Sequence, residues 1–206
     1  VGCVVIPTVV VGAGGHGQDL AALIEAVPDR TFAGFLDDDP PEHVDALGPA
    51  TLDHLPDRAE YVVGINDPHT RWLVSTVRGF PVDRAAVLVH PAAVVGPRCH
   101  LGKGAVVAAG AVLDTQVTLG WHTHVHTGAT ITRTWVLPYS TVCPGAHIGG
   151  DCVIGHRTLI GAGATVRNLV GVGDDVTVGA GATVLRHLPA HGVYVGTPAH
   201  PIGAAA

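Results

Sequence analysis

Three histidines at alternate positions, in His122-Thr123-His124-Val125-His126, form the densest group of proton-transferring side chains in this 206-residue sequence. An imidazole can take up and release a proton near neutral pH, so such a group suits general acid–base chemistry. Alternate residues of a strand share a face, which also raises a metal site. His122, however, belongs to a turn, and no carboxylate accompanies the group to complete a catalytic zinc set. The plain alternative is a row of outward polar residues on a solvated or intersubunit face, and the chain's 14 histidines favour it. A second group is Gly12-Ala13-Gly14-Gly15-His16-Gly17, which satisfies GxGxxG. Between a strand and a helix, such a loop presents backbone N–H groups and a helix N-terminus to a diphosphate. An acidic residue at the next strand end can accept from a ribose or a base, a role open to Asp37 and Asp38.

The elements that would carry these groups can be read from periodicity. From Val95 an aliphatic residue recurs every six positions through Leu101, Val107, Leu113, Leu119, Val125, Ile131 and Leu137. One five-residue step to Val142 follows, and the period then resumes through Ile148, Ile154, Ile160, Val166, Val172, Val178 and Val184. Two residues before most of them stands a small residue, such as Ala105, Ala129, Ala146, Cys152 or Ala164. Positions two apart on a strand point the same way, so both sets face inward. Six residues make one side of a triangular coil, and residues 86–206 are expected to form an all-β left-handed parallel β-helix of hexapeptide repeats. At the shortened step, Trp135 takes an inward position otherwise given to small residues.

Residues 1–85 read as a small α/β, Rossmann-like domain. Val9–Val11 is a buried strand, the glycine loop a turn, and residues 18–27 a helix with Leu20, Leu23, Ile24 and Val27 on one face. Strands at 32–36 and 61–65 follow, and Asn66-Asp67-Pro68 opens the helix that carries Arg71. The glycine loop alone fits a dinucleotide, a nucleotide sugar or a bare tight turn. A region this short supplies only half of a dinucleotide fold, which favours a nucleotide sugar.

Residues 1–83 hold 13 acidic and 4 basic side chains, while residues 84–206 hold 4 and 7. The mildly positive second part suits an anionic ligand such as coenzyme A. Basic residues are neither clustered nor interleaved with aromatics, so no nucleic-acid partner is expected. Cys3, Cys99, Cys143 and Cys152 form no CxxC pair and read as small buried residues. No apolar run approaches the roughly 18 residues of a membrane span, and a soluble, cytoplasmic protein is expected.

The combination resembles the family of sugar O-acyltransferases and nucleotide-amino-sugar N-acetyltransferases that includes the sialic-acid O-acetyltransferases. The resemblance rests on Gly12 to Gly17, Phe35-Leu36-Asp37-Asp38, Gly64-Ile65-Asn66 with Arg71, His90-Pro91, Pro144-Gly145-Ala146 and the closing Val195-Gly196-Thr197-Pro198-Ala199. It implies transfer of an acetyl or similar acyl group from acetyl-CoA to an amine or hydroxyl of a nucleotide-linked sugar by a homotrimer, without a metal. It further implies that Gly12, Gly14, Gly15, His16 and Gly17 hold the diphosphate, that Asp37 and Asp38 meet the base, and that Asn66 and Arg71 lie nearby. Coenzyme A would pass along Thr141, Gly150, Ala162 and Ala180.

The pattern breaks at the family's catalytic histidine and its acidic neighbour, whose slots hold Arg133 and Thr134. An arginine stays protonated and cannot be the base. His126, directly after inward Val125 and in the family's asparagine slot, is the first substitute. His124 is the second, expected one coil from Thr141, with His147 and His156 more distant. Arg133 would then bind an anion or help stabilise the oxyanion. A trimer that binds ligand without catalysis, and a sugar O-acyltransferase with a non-nucleotide acceptor, are the competing readings.

Overall fold

The computed structural model describes residues 5–202. Ile6–Val11 (β1), Gly15–Ala26 (α1), Arg30–Leu36 (β2), Ala46–Gly48 (β3), Glu60–Val63 (β4) and Pro68–Val77 (α2) build an α/β region. Its sheet is parallel, in the order β3-β2-β1-β4. β1 lies inside that order and is buried on both faces, which explains its unbroken valines. Val10 packs with Leu20, Leu23 and Ile24 of α1, whereas Val9 and Val11 pack with Tyr61, Val63 and Phe80 on the other face. After β1 the chain turns through Gly12 at φ 102°, a conformation glycine adopts without steric cost. Gly17 lets α1 sit on this loop, since a Cβ there would come 1.9 Å from the Gly12 carbonyl oxygen. α2 starts with Pro68 at its first turn, and the Asp67 carboxylate accepts from the Thr70 N–H at 2.7 Å.

From Leu88 the chain winds into a left-handed, three-walled parallel β-helix. The first wall stacks Leu88–Val89, Val106–Val107, His124–Val125, Thr141–Val142, Leu159–Ile160, Val176–Val178 and Gly192–Val195. The second runs from Val94–Val95 to Thr183–Val184, and the third from His100–Leu101 to Gly171–Val172. Val107, Leu113, Val125, Ile131, Val142, Ile154 and Ile160 have no exposed surface. Together with Ala105, Ala129, Ala146 and Ala164 they fill the axis of the prism.

The shortened coil differs from expectation. Val136, not Leu137, is the inward residue: it is 1% exposed and pairs with Leu119 below and Ile154 above. The five-residue step therefore falls between Ile131 and Val136. Thr134 takes the small inward position, its hydroxyl lying 2.8 and 3.0 Å from Thr132 O and Gly149 O, which share its single proton. Trp135, expected inside, points outward and is 61% exposed. Two adjacent aliphatics allow either register in the sequence. The corner at Arg133, at φ 38°, lies within the shortened step that puts Val136 inside.

Cys143 and Cys152 are buried thiols and Cys99 is half-buried; Cys3 lies outside the described residues. Among the described residues no helix is long and apolar enough to cross a membrane.

Arg71 joins the two regions. Its guanidinium is fully buried and donates to the carbonyls of His122, Ile65, Asn66, Tyr139 and Ser140 and to Thr141 Oγ1, at 2.6 to 3.1 Å. All five N–H donors are thereby satisfied. Beside it Trp72 lies under the Arg157 guanidinium, 5.3 Å from ring centroid to Cζ. Arg71→Met removes these donors and leaves buried carbonyls unpaired. A loss of about 3 kcal/mol is expected, measurable as a lower denaturant midpoint.

Candidate active site

α1 faces the first wall of the prism, and a cleft of about 380 Å³ separates them. His16, Asp19 and Leu23 line it from the helix; His90, Ala109 and His126 line it from the wall. His16 comes from the glycine loop's passage into α1. Because Val125 points inward, His124 and His126 on either side of it point out, toward that helix.

The three rings form one cluster. His16 Nε2 lies 2.9 Å from His124 Nδ1, and the His16 and His126 ring centroids are 4.8 Å apart. His126 Nε2 meets Asn66 Oδ1 at 2.9 Å. His124 is wholly enclosed, and its Nε2 has no hydrogen-bond partner. His122 turns away at φ 53°, stacked between Tyr61 and Tyr139. Burial is the first cause of low basicity throughout, and the buried Arg71 cation adds to it. His16 is pushed down to about 3, with His126 a larger contributor than Arg71. His122 and His126 fall to about 4, and His124 well below its ordinary value. Asp19 opposes the effect at His126. All four imidazoles are neutral at neutral pH, and His16 and His126 are the two that line the cleft half-buried, each with one ring nitrogen engaged.

Other expected site residues fall into three groups. Gly14 and Gly15 are exposed, and a Cβ on either would meet nothing within 4 Å, so packing within the protein does not require glycine there. Asp37 accepts from the Ala13 and Asp39 N–H groups at 2.6 and 2.9 Å. Asp38 accepts from the Ala50 N–H and pairs with Arg78. Both carboxylates thus brace the glycine loop and its surroundings. Arg71 and Thr141, expected to touch ligands, are 0% exposed and bonded to each other where α2 docks on the prism. His124 does pair one coil below Thr141, as expected, and it lies enclosed at the back of the cleft.

Arg133 stands apart from the cleft. It is half-exposed at the corner between the second and third walls, with a bidentate pair to Asp151 at 2.7 Å. Gly150 adjoins it. Ala162 and Ala180 are exposed at the corner between the first and second walls, where the Gly181 N–H bonds Ala162 O. His147 bonds Thr130 Oγ1 on the second wall, and the His156 N–H bonds Asp174; neither lines the cleft. Sequence reasoning missed the cross-region pairing of Asn66 with His126, which no local spacing announces.

A family model described as the PglD N-terminal domain matches residues 8–77, and one described as the GMPPB C-terminal domain matches residues 84–189, just over half the chain. The acetyltransferase domain of PglB from Neisseria gonorrhoeae is 31% identical, with a TM-score of 0.85 over 95% of this chain and 99% of that one; it has also been solved with acetyl coenzyme A. PerB from Caulobacter crescentus, solved with CoA and GDP-perosamine, is 27% identical, with a TM-score of 0.86 over 98% of this chain and 100% of that one. A serine acetyltransferase of Mycobacterium tuberculosis is 30% identical over 135 residues, which is 65% of this chain and 52% of that protein. The chain spans about half the length of the curated relatives it matches. It belongs to the hexapeptide-repeat, left-handed β-helix family of sugar and nucleotide-sugar acetyltransferases.

Proposed function

We propose that the protein transfers an acetyl or similar small acyl group from acyl-CoA to an amine or hydroxyl of a nucleotide-linked sugar, with His126 as general base. The observation that carries this reading is the cleft itself. It places a neutral imidazole with one free nitrogen beside the glycine loop, on the same prism that in the PglB domain and PerB accompanies bound acetyl-CoA or CoA. His126 would take a proton from the acceptor as it attacks the thioester carbon. The exposed Gly14 and Gly15 leave room for a diphosphate at the N-terminus of α1. Coenzyme A would lie in grooves between prisms of a homotrimer, near Ala162 and Ala180 of one chain and Gly150 of its neighbour. That arrangement suits their positions on two different edges. A cytoplasmic site of action fits both proposed substrates.

The test incubates the purified chain with acetyl-CoA and a panel of UDP-, dTDP- and GDP-linked 4-amino sugars, following thiol release and product mass. Thiol release with an acetyl mass gain on one sugar is expected. Binding of coenzyme A and sugar with no turnover on any acceptor would favour a member that retains its sites without the chemistry.

A further inference from the structure

We infer that Asn66 is a positioning residue that holds His126 as its Nε2–H tautomer, so that Nδ1 is the nitrogen that exchanges the proton. This rests on the proposed acyl transfer, but its structural half stands independently. The Asn66 amide turns its Oδ1 to His126 Nε2 at 2.9 Å, and because an amide oxygen only accepts, this orientation goes with the proton on Nε2. A neutral imidazole carries one ring proton, which leaves the Nδ1 lone pair free.

The main chain of Asn66 is fixed from both sides of the boundary. Its carbonyl accepts from Arg71 Nη1 at 3.1 Å and from Thr141 Oγ1 at 2.9 Å. The His16 ring lies against His126 and restricts its rotation. A loop of the α/β region thus orients a side chain of the prism, in place of the adjacent acidic residue that Thr134 has displaced. In the transfer, the acceptor nitrogen or oxygen attacks the thioester carbon while Nδ1 takes its proton. The carbon–sulfur bond then breaks, the thiolate leaves as coenzyme A, and the Nδ1 proton passes to sulfur. No further reactant is needed.

An amide partner adds no negative charge. The groups facing His126 are His16 and Asp19 from α1, Arg71 from α2, and His124 and His90 from the first wall. Asn66→Asp would add a carboxylate against Nε2–H while preserving the tautomer. It should raise the imidazole's basicity by about 1–3 pH units and bring its titration into the range where the protein is folded.

Two readouts test the inference on the full chain. The ¹⁵N shifts of the His126 ring, assigned against His126→Gln, are expected to show a protonated Nε2 and a bare Nδ1 in the wild type, and exchange between tautomers in Asn66→Ala. An Nδ1–H tautomer in the wild type would overturn the inference whether or not turnover is found. In kinetics, Asn66→Ala should lower kcat up to about 100-fold with the KM for acyl-CoA unchanged. The ratio of Asn66→Asp to wild-type kcat/KM should fall as pH drops below neutrality. A flat ratio, or an Asn66→Ala effect confined to the acceptor's KM, would make Asn66 a substrate-binding residue instead. Absence of turnover in the wild type would defeat the proposed function while leaving the tautomer result to stand or fall alone.

Discussion

Replacing His126 with alanine is expected to lower turnover about 10²–10⁴-fold, the range for removal of a general base, with little change in affinity for coenzyme A. The ring is half-buried and loses one hydrogen bond, to Asn66, so the variant should fold. Arg133→Ala provides the contrast. Its guanidinium is committed to Asp151 on an exposed corner, where solvent screens the pair and little stability rests on it. Turnover of Arg133→Ala within a few-fold of wild type, beside a nearly inactive His126→Ala, would locate the chemistry in the cleft. Full activity of His126→Ala would remove His126 from the mechanism.

A second large effect concerns stability in acid. His16 is held down to about 3 and His122 and His126 to about 4, while enclosure depresses His124 well below its ordinary value. In the unfolded chain each returns to about 6.5. Above that pH all four are neutral in both states, and this contribution to stability is fully present. As pH falls from about 6.5 toward the folded values, the unfolded chain binds protons that the fold refuses, so stability drops. The slope is about 1.4 kcal/mol per pH unit for each histidine, approaching about 5 for the four together. Against a typical total of about 5–15 kcal/mol, the chain is expected to lose a large part of its stability as pH falls below about 6. Denaturant midpoints from about pH 7.5 down to 5.5, at constant ionic strength, measure this directly. A flat midpoint would show that the cluster is solvated and that the α/β region does not seal it. The lowered carboxylates of Asp38, Asp67 and Asp175 act only in a separate and more acidic window.

The prism was legible because its core is a one-dimensional pattern. An inward aliphatic every six residues leaves little choice of fold, and it failed only where Val136 and Leu137 offered two adjacent candidates for one slot. The strands and helices of the α/β region were legible for similar reasons, from the valines of β1 to the Asp67-Pro68 start of α2. The site was legible only in part. His124 and His126 could be singled out because alternation places them on either side of inward Val125. That His124 would be enclosed, and that Arg71 would serve carbonyls rather than a ligand, depended on how α2 docks against a corner some 70 residues away in sequence. His16 and Asn66 looked like ligand-binding residues because they sit in or near the nucleotide loop. Their turn toward the histidines is a property of the packed interface, which no local motif encodes.

The most direct measurement of the central claim is a structure of the His126→Ala variant with coenzyme A and the sugar that the wild type acylates. The account predicts the acceptor nitrogen or oxygen in the cleft between α1 and the first wall, within about 3.2 Å of where His126 Nδ1 would stand, with the thiol on its far side. An acceptor bound instead at the Arg133–Asp151 corner, away from the histidines, would contradict it.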